Sequence, residues 1–183
     1  AYWRIVAVGV VFTLARFSEA FLVLRAHDLG LPVGLAPLTL VAMNVVYAAG
    51  AFPAGLWSDK ARPAILLLWS LAALAVADLA LAFAPGLWAV FAGVALWGVH
   101  MALSQGLLAK LVADAAPANL RASAFGLFNL ASGLALLAAS LVAGLMWDRA
   151  GAAATFLAGG GFAALAAIFV AAGALSAAPP RAP

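Results

Sequence analysis

Long apolar runs, separated by short polar breaks, fill almost the whole chain. Each run has about 20 residues, the length that a helix needs to cross the roughly 30 Å hydrocarbon core of a bilayer. Because no water reaches that core, backbone N–H and C=O groups must bond within the chain, and continuous rather than alternating runs favour helices over a barrel. The pattern predicts six membrane-spanning helices, over residues 5–25, 34–57, 64–84, 87–109, 122–147 and 152–175.

Turn-forming residues separate these predicted helices, as expected for very short loops. An Ala/Pro-rich segment over residues 177–183 follows the last helix and is expected to be a disordered tail. Nearly every other residue is used by a helix or a turn, so residues 1–183 form one all-α integral membrane domain. The separators are Gly30 to Pro32, Arg62 with Pro63, Pro85 with Gly86, Pro117 to Asn119, and Gly151.

Composition excludes several classes of function. Hydrophobic residues make up 68% and charged residues 8% of the chain, whereas soluble domains have about 25% charged residues. The basic residues are scattered rather than clustered, so nucleic-acid binding is not expected. The chain has no cysteine and only two isolated histidines, which argues against a metal site, and no cofactor is expected. No ATP-binding loop is present, so ATP-driven pumping is not expected either.

The distribution of Lys and Arg predicts the orientation, because cytoplasmic loops retain basic residues. Six basic residues fall on one side of the predicted topology and two on the other, which places both termini in the cytoplasm. The six are Arg4, Lys60, Arg62, Lys110, Arg121 and Arg181, and the two are Arg25 and Arg149.

A short motif occurs twice, each time at the end of a predicted helix. Residues 54–61 read Ala-Gly-Leu-Trp-Ser-Asp-Lys-Ala, and residues 143–150 read Ala-Gly-Leu-Met-Trp-Asp-Arg-Ala. Three predicted helices separate the copies, so the two motifs face opposite sides of the membrane. This arrangement predicts an inverted 3+3 repeat, although chance matches also arise in a chain so rich in Ala, Gly and Leu.

The first copy resembles the signature loop between the second and third helices of each half of the major facilitator superfamily, through Gly55, Asp59, Lys60 and Arg62. The segment over residues 117–151 resembles the tenth and eleventh helices of that family. The opening Leu14 to Phe21 is similar to a seventh helix. The resemblance implies the C-terminal six-helix half of a secondary active transporter of the inner membrane, which moves a small solute by alternating access.

The same resemblance implies the partners and a gate. Transport requires an N-terminal six-helix half that is missing from this sequence, or a second copy of the chain. In the family, the Asp at the position of Asp59 belongs to a cytoplasmic latch, which makes Gly55, Asp59, Lys60 and Arg62 a candidate gate motif. Lys60 and Arg62 also have a simpler interpretation, in which they only keep the loop in the cytoplasm.

Arg16 and Glu19 are charged residues inside the first predicted helix, where a charge costs about 2.5–3.5 kcal/mol. Their spacing of three places them on one face. One interpretation is an ion pair between these two residues alone, which only allows the helix to insert into the membrane. The other is a transport pathway in which Glu19 titrates or binds a cation and Arg16 holds an anionic group. Glu19 allows proton coupling without requiring it.

Other polar residues inside predicted helices complete the candidate pathway. His100 and Gln105, with Ser104 between them, form a polar patch that lines a cavity or joins helices. His100 and Ser104 lack the other parts of a hydrolase site, so the chain is not expected to be an enzyme. Asp78 either reaches a cationic partner or is protonated. The remaining candidates are Asn44, Tyr47 and Asn129, with interhelical hydrogen bonding as the alternative role.

Two other functions remain open at this point. The chain could be a complete six-helix membrane protein that serves as a binding or scaffold subunit, or a small-solute channel. A channel needs a ring of like residues around its pore, and the mixed set of polar residues here argues against one.

Overall fold

The computed structural model describes residues 2–174, and all regular elements in that part of the chain are helical. Short 3₁₀ turns lead into the third and sixth α-helices, and a π-helical turn follows the last. The predicted tail over 177–183 lies outside the described residues. The α-helices are α1 (Tyr2–Leu14), α2 (Ala20–Asp28), α3 (Pro37–Lys60), α4 (Pro63–Ala82), α5 (Leu87–Ala115) and α6 (Arg121–Phe169).

The structure differs from the continuous first helix predicted over 5–25, because the chain breaks between α1 and α2. The backbone N–H of Ser18 donates to Ser140 Oγ at 3.1 Å. The Ser18 hydroxyl accepts a bond from the N–H of Ala20 at 3.3 Å, directly before α2. The ring of Phe17 is buried at the same point. The apolar pattern could not reveal the break, because the side-chain bond that satisfies its backbone comes from a distant segment.

Gly151 divides α6 into two parts. Its φ of 81° and ψ of 176° are not helical, and the positive φ is readily adopted only by glycine. We call residues 121–150 the first arm and residues 152–169 the second arm. The rings of Trp147 and Phe156, one on each arm, are in edge contact with centroids 6.0 Å apart. The chain therefore folds back at Gly151.

Four helical stretches of the described chain are long and apolar enough to cross a membrane, judged by length and composition. The last of them has 56 residues, which at 1.5 Å per residue is about 84 Å of helix in total, more than twice the thickness of a bilayer core. The turn at Gly151 divides this length between the two arms. Helix α1 is also apolar but shorter. The four stretches are Val33–Lys60, Pro63–Ala82, Leu87–Ala115 and Ala118–Gly173.

Helix α4 lies in the centre of the molecule and packs against both α5 and α6. Its side chains at Leu66, Leu67 and Leu74 are completely buried. Helix α3 packs on α5, and α1 packs on α6. The contact between α3 and α5 is close at Gly98, where an added Cβ would lie 2.6 Å from the carbonyl oxygen of Met43. Backbone-to-backbone approach of this kind is typical of membrane helices.

Arg25, at the end of α2, closes the C-terminus of α4. Its Nε donates to the carbonyl oxygen of Leu81 at 2.9 Å, and its Nη2 donates to that of Ala82 at 3.2 Å. These carbonyls have no helical partner, and a cation at a helix C-terminus is stabilised by the helix dipole. Arg25 is one of the two basic residues predicted on the side of the membrane with fewer basic residues, and this structural role accounts for it.

Candidate functional site

A cavity of about 250 Å³ lies between α1, α5 and the first arm of α6. Its walls combine aromatic rings with an unusual concentration of polar side chains for a chain of this composition. The structure brings together four residues of the predicted pathway at this cavity, which are separated by up to 113 positions in the sequence. The polar side chains that line it are Thr13, Arg16, His100, Ser104, Gln105, Asn129 and Ser132.

Arg16 enters the cavity from the break between α1 and α2. Its side chain is only 16% exposed, so most of the guanidinium is shielded from solvent. The nearest carboxylate is that of Glu19, with 3.8 Å between Nη1 and Oε1. That separation makes an ion pair but exceeds a hydrogen bond. Within the described residues, the guanidinium makes no hydrogen bond, and its five N–H donors remain available.

His100 is completely buried and is held from one side by Ser70 of α4. Its Nδ1 lies 3.0 Å from the carbonyl oxygen of Ser70 and 2.8 Å from Ser70 Oγ. Because a carbonyl only accepts, Nδ1 carries the proton. The ring stacks on Phe12 with centroids 5.3 Å apart. His100 Nε2 is left buried with no hydrogen-bond partner in the described structure.

Ser104 does not form a catalytic pair with the imidazole of His100. Its hydroxyl donates instead to the backbone carbonyl of His100, at 2.8 Å. That bond is the local type that Ser commonly makes within a membrane helix. His100 therefore both joins α5 to α4 and lines the cavity, which combines the two roles that the sequence left open.

The first arm of α6 completes the wall with Asn129 and Ser132. Ser132 Oγ is buried and has no partner among the described residues. Asn129 is exposed. Gln105 faces the same cavity from α5 and is partly exposed. The cavity thus contains buried polar atoms that nothing in the described chain satisfies, a costly arrangement unless a ligand or water completes it.

Asn44 and Tyr47 lie on α3 and do not line this cavity. The Asn44 side chain is exposed and donates to the carbonyl oxygen of Leu40, one turn earlier, at 2.8 Å. This is not the interhelical bond considered from the sequence. Tyr47 is half-buried and packs against the core. Both residues are on the least buried of the long helices.

Asp78 also lies away from the cavity, at the contact between α4 and the second arm of α6. It is completely buried, and neither carboxyl oxygen has a hydrogen-bond partner in the described part of the chain. The structure therefore does not provide the cationic partner that the sequence allowed for. Gly159 makes room for the carboxyl group, since an added Cβ would lie 2.8 Å from Asp78 Oδ2.

The gate motif lies at the end of α3 and along α5. Lys110 Nζ forms an ion pair with Asp59 Oδ1 at 2.5 Å and lies 3.4 Å from the carbonyl oxygen of Ser58. Lys60 and Arg62 line the same surface cleft as this pair. Gly55 is exposed, and nothing lies within 4 Å of an added Cβ there.

The contacts of Ser70, Lys110 and Arg25 were not predicted from the sequence. Ser70 and His100 are 30 positions apart, and Lys110 and Asp59 are 51 apart. Ser70 is the only hydroxyl-bearing residue in the first half of α4. A single hydroxyl in such an apolar helix was the feature that could have indicated a hydrogen bond to another helix. No group of three or more His, Cys, Asp or Glu side chains occurs within residues 2–174 that could hold a metal ion.

Comparison with known proteins identifies the family. The sequence profile of the Major Facilitator Superfamily matches residues 5–183. An uncharacterised MFS-type transporter of Methanocaldococcus jannaschii is 31% identical over 148 residues, which are 78% of this chain and 37% of that protein. The chain therefore spans little more than a third of the curated relative that it matches.

A solved structure has the same fold. The crystal structure of the POT family transporter PepTSo superposes with a TM-score of 0.74 at 19% sequence identity, over 100% of this chain and 39% of that one. At this identity the similarity concerns the fold alone. Together with the apolar helices and the profile match, it shows that the chain is a multi-pass membrane protein that belongs to the Major Facilitator Superfamily.

Proposed function

We propose that the chain is the C-terminal six-helix half of a secondary active transporter of the inner membrane, and that it moves a small solute by alternating access. The observation that carries this proposal is the polar cavity beside the break between α1 and α2. Interrupted helices with polar side chains at mid-membrane are typical of the substrate sites of secondary transporters. Irregular backbone is tolerated at that depth only where protein or a cavity covers it.

The proposed topology has six crossings in an inverted 3+3 repeat, with both termini in the cytoplasm. In this topology, α1 and α2 together make the first crossing, and the two arms of α6 make the fifth and sixth. The two motif copies support it, since α3 ends at Lys60 and the second copy ends directly before Gly151. Each copy therefore occupies the end of the second crossing of its repeat.

A partner six-helix half, or a second copy of this chain, is proposed to cover α3 and the first arm of α6. Both helices expose large apolar side chains, among them Phe52 and Leu134. Lipid could cover apolar side chains, but Asn44 and Asn129 are exposed on the same two helices. Polar side chains within membrane helices usually face protein or a cavity. The half-cavity at Arg16 would then be closed by the partner.

The ion pair between Asp59 and Lys110 is proposed to act as a cytoplasmic latch. It connects the end of α3 with α5, helices that belong to different repeats in the proposed topology. Such a contact would break if the two repeats move against each other when the cytoplasmic side opens. Glu19, beside Arg16, is the proposed site of proton coupling if transport uses protons, because it is the acidic residue nearest to the cavity cation.

Two-sided labelling of a cavity residue tests this proposal. A single cysteine in place of Gln105, in the full-length transporter, is treated with a membrane-impermeant maleimide from either face of oriented vesicles. Alternating access predicts labelling from both faces, together with saturable solute exchange. Labelling from one face alone, or from neither, would support a static binding or scaffold subunit. Labelling from both faces with flux that does not saturate would support a channel.

A further inference from the structure

The cavity has a single charged group in its wall, and that charge is positive. Arg16 lines the cavity, whereas the described lining residues include no Asp or Glu. Glu19 is outside the lining and 3.8 Å from the guanidinium, so it balances the charge without occupying the N–H donors. A planar guanidinium with free donors matches a carboxylate, which it can bind through two parallel hydrogen bonds. The electrostatics of this wall therefore favour an organic anion over a cation.

His100 adds a second requirement, for a hydrogen-bond donor. Ser70 holds the Nδ1 proton, so Nε2 of the neutral ring has a free lone pair and accepts. Nε2 is buried without a partner in the described chain. Because His100 is completely buried, a hydroxyl group on the solute can donate to Nε2 once the side chains that cover it move aside. An ammonium group fits less well, because it would bring a second positive charge into the cavity that contains Arg16.

The part of the cavity that this chain forms is small. Its volume is about 250 Å³, just below the roughly 300 Å³ at which pockets for drug-sized ligands begin. The aromatic rings of Phe12, Phe125 and Phe128, together with aliphatic residues, supply the apolar part of the wall and suit a short hydrocarbon skeleton. Ser132 Oγ, also buried and without a partner among residues 2–174, offers one further hydrogen bond.

We propose that this cavity binds a small hydroxycarboxylate, with its carboxylate on the guanidinium of Arg16 and its hydroxyl donating to Nε2 of His100. This inference rests on the proposed function, since it takes the cavity as the transport site. The transported solute is then a short organic acid in its anionic form. Gln105 and Asn129 bind the remaining polar atoms.

Equilibrium binding of three related probes tests the inference. The full-length transporter is purified in lipid nanodiscs, and the affinities of lactate, propionate and lactamide are measured by competition against radiolabelled lactate. Propionate lacks the hydroxyl group, and lactamide lacks the charge. We expect lactamide to bind about 10- to 100-fold more weakly than lactate, and propionate about 3- to 10-fold more weakly, from the usual strengths of charged and neutral hydrogen bonds.

Variants assign each group to its residue. Arg16→Gln should lose about 10- to 100-fold in lactate affinity. Arg16→Lys should have an intermediate affinity, because lysine keeps the positive charge but cannot bind the carboxylate through two parallel hydrogen bonds. His100→Asn can still donate to the Ser70 carbonyl but has no acceptor at Nε2, so it should bind lactate no better than propionate. Arg121→Gln, which removes an exposed arginine outside the cavity, is the matched control and should leave all three affinities unchanged.

Several results would overturn the inference. They are lactamide or propionate binding within twofold of lactate, alanine binding more tightly than lactate, unchanged lactate affinity in Arg16→Gln, or no binding of lactate at all. If Arg16→Gln fails to fold, Arg16→Lys and the three probes on the unmodified protein decide. Failure of two-sided labelling at Gln105, with lactate binding intact, would overturn the transport proposal alone. Two-sided labelling without lactate binding would overturn only the hydroxycarboxylate site.

Discussion

The Nδ1 atom of His100 donates to the carbonyl oxygen of Ser70, 3.0 Å away, and this bond joins α5 to α4 inside the buried core. The hydroxyl of Ser70 strengthens the junction, since it donates to the carbonyl oxygen of His100 at 2.9 Å. The two residues thus satisfy each other on one side of the ring. They leave Nε2 as the unpaired nitrogen, so the junction fixes both the packing of α4 on α5 and the chemistry of the cavity.

Ser70→Ala should therefore lower both stability and solute affinity. The variant loses the hydroxyl bond to the His100 carbonyl, which is worth about 1 kcal/mol within a membrane protein, and it loosens the orientation of the ring. Thermal unfolding in detergent and equilibrium binding measure the two effects. Ser58→Ala is the control, because the hydroxyl of Ser58 bonds only within its own helix, to Gly55, at an exposed site. An unchanged melting temperature in Ser70→Ala would contradict the role of the junction.

Removal of the Asp59–Lys110 ion pair should slow transport moderately rather than abolish it. The two side chains are 67% and 32% exposed, and exposed ion pairs contribute about 0.2–1 kcal/mol. Asp59→Asn should therefore reduce the initial rate of solute exchange in proteoliposomes by a factor of about 2 to 5. Asp28→Asn, which removes an exposed carboxylate outside the gate motif, is the control for loss of a charge.

A charge swap distinguishes a latch from a general effect of charge. The double variant Asp59→Lys with Lys110→Asp restores the pair in reverse and should recover most of the lost rate. If the double variant is as slow as the sum of its single variants predicts, the pair does not act as a latch.

The helix ends and the site were predictable to different degrees. Pro63 and Gly151 mark ends that the sequence predicted, because proline and positive-φ glycine act through local backbone geometry. The break between α1 and α2 was not predictable. The apolar run continues through it, and the backbone N–H of Ser18 in the break bonds to Ser140, 122 residues away. Arg16 and His100 were both predicted as pathway residues, and both line the cavity.

Contacts between distant segments account for what the sequence did not reveal. Ser70 gives no local pattern that identifies His100 as its partner, and the same is true of Lys110 and Asp59. Asn44 resembled a pathway residue because it lies within an apolar run, but its face of α3 is open in the described chain. Only packing decides which face of such a helix lines a cavity.

Single-cysteine labelling should place the two ends of α4 on opposite sides of the membrane. The chain has no native cysteine, so one introduced residue reports alone. A cysteine at Ala61, before α4, should react with an impermeant maleimide only from the cytoplasm, and one at Gly86, after α4, only from outside. Detergent-permeabilised membranes give the control for full reactivity. Labelling of both positions from the same side would contradict the proposed topology.

Gly98→Ala should destabilise the protein, whereas Gly106→Ala on the same helix should not. At Gly98 a new Cβ would lie 2.6 Å from the carbonyl oxygen of Met43 and 3.0 Å from Val46 Cβ. A backbone atom cannot move aside as a flexible side chain can, so α3 must shift away from α5, at a cost of about 1–3 kcal/mol. At Gly106 nothing lies within 4 Å, and alanine there should gain slightly from its higher helix propensity. Thermal unfolding of the two variants in the same detergent provides the comparison. Equal melting temperatures would mean that α3 and α5 do not approach as closely as the structure shows.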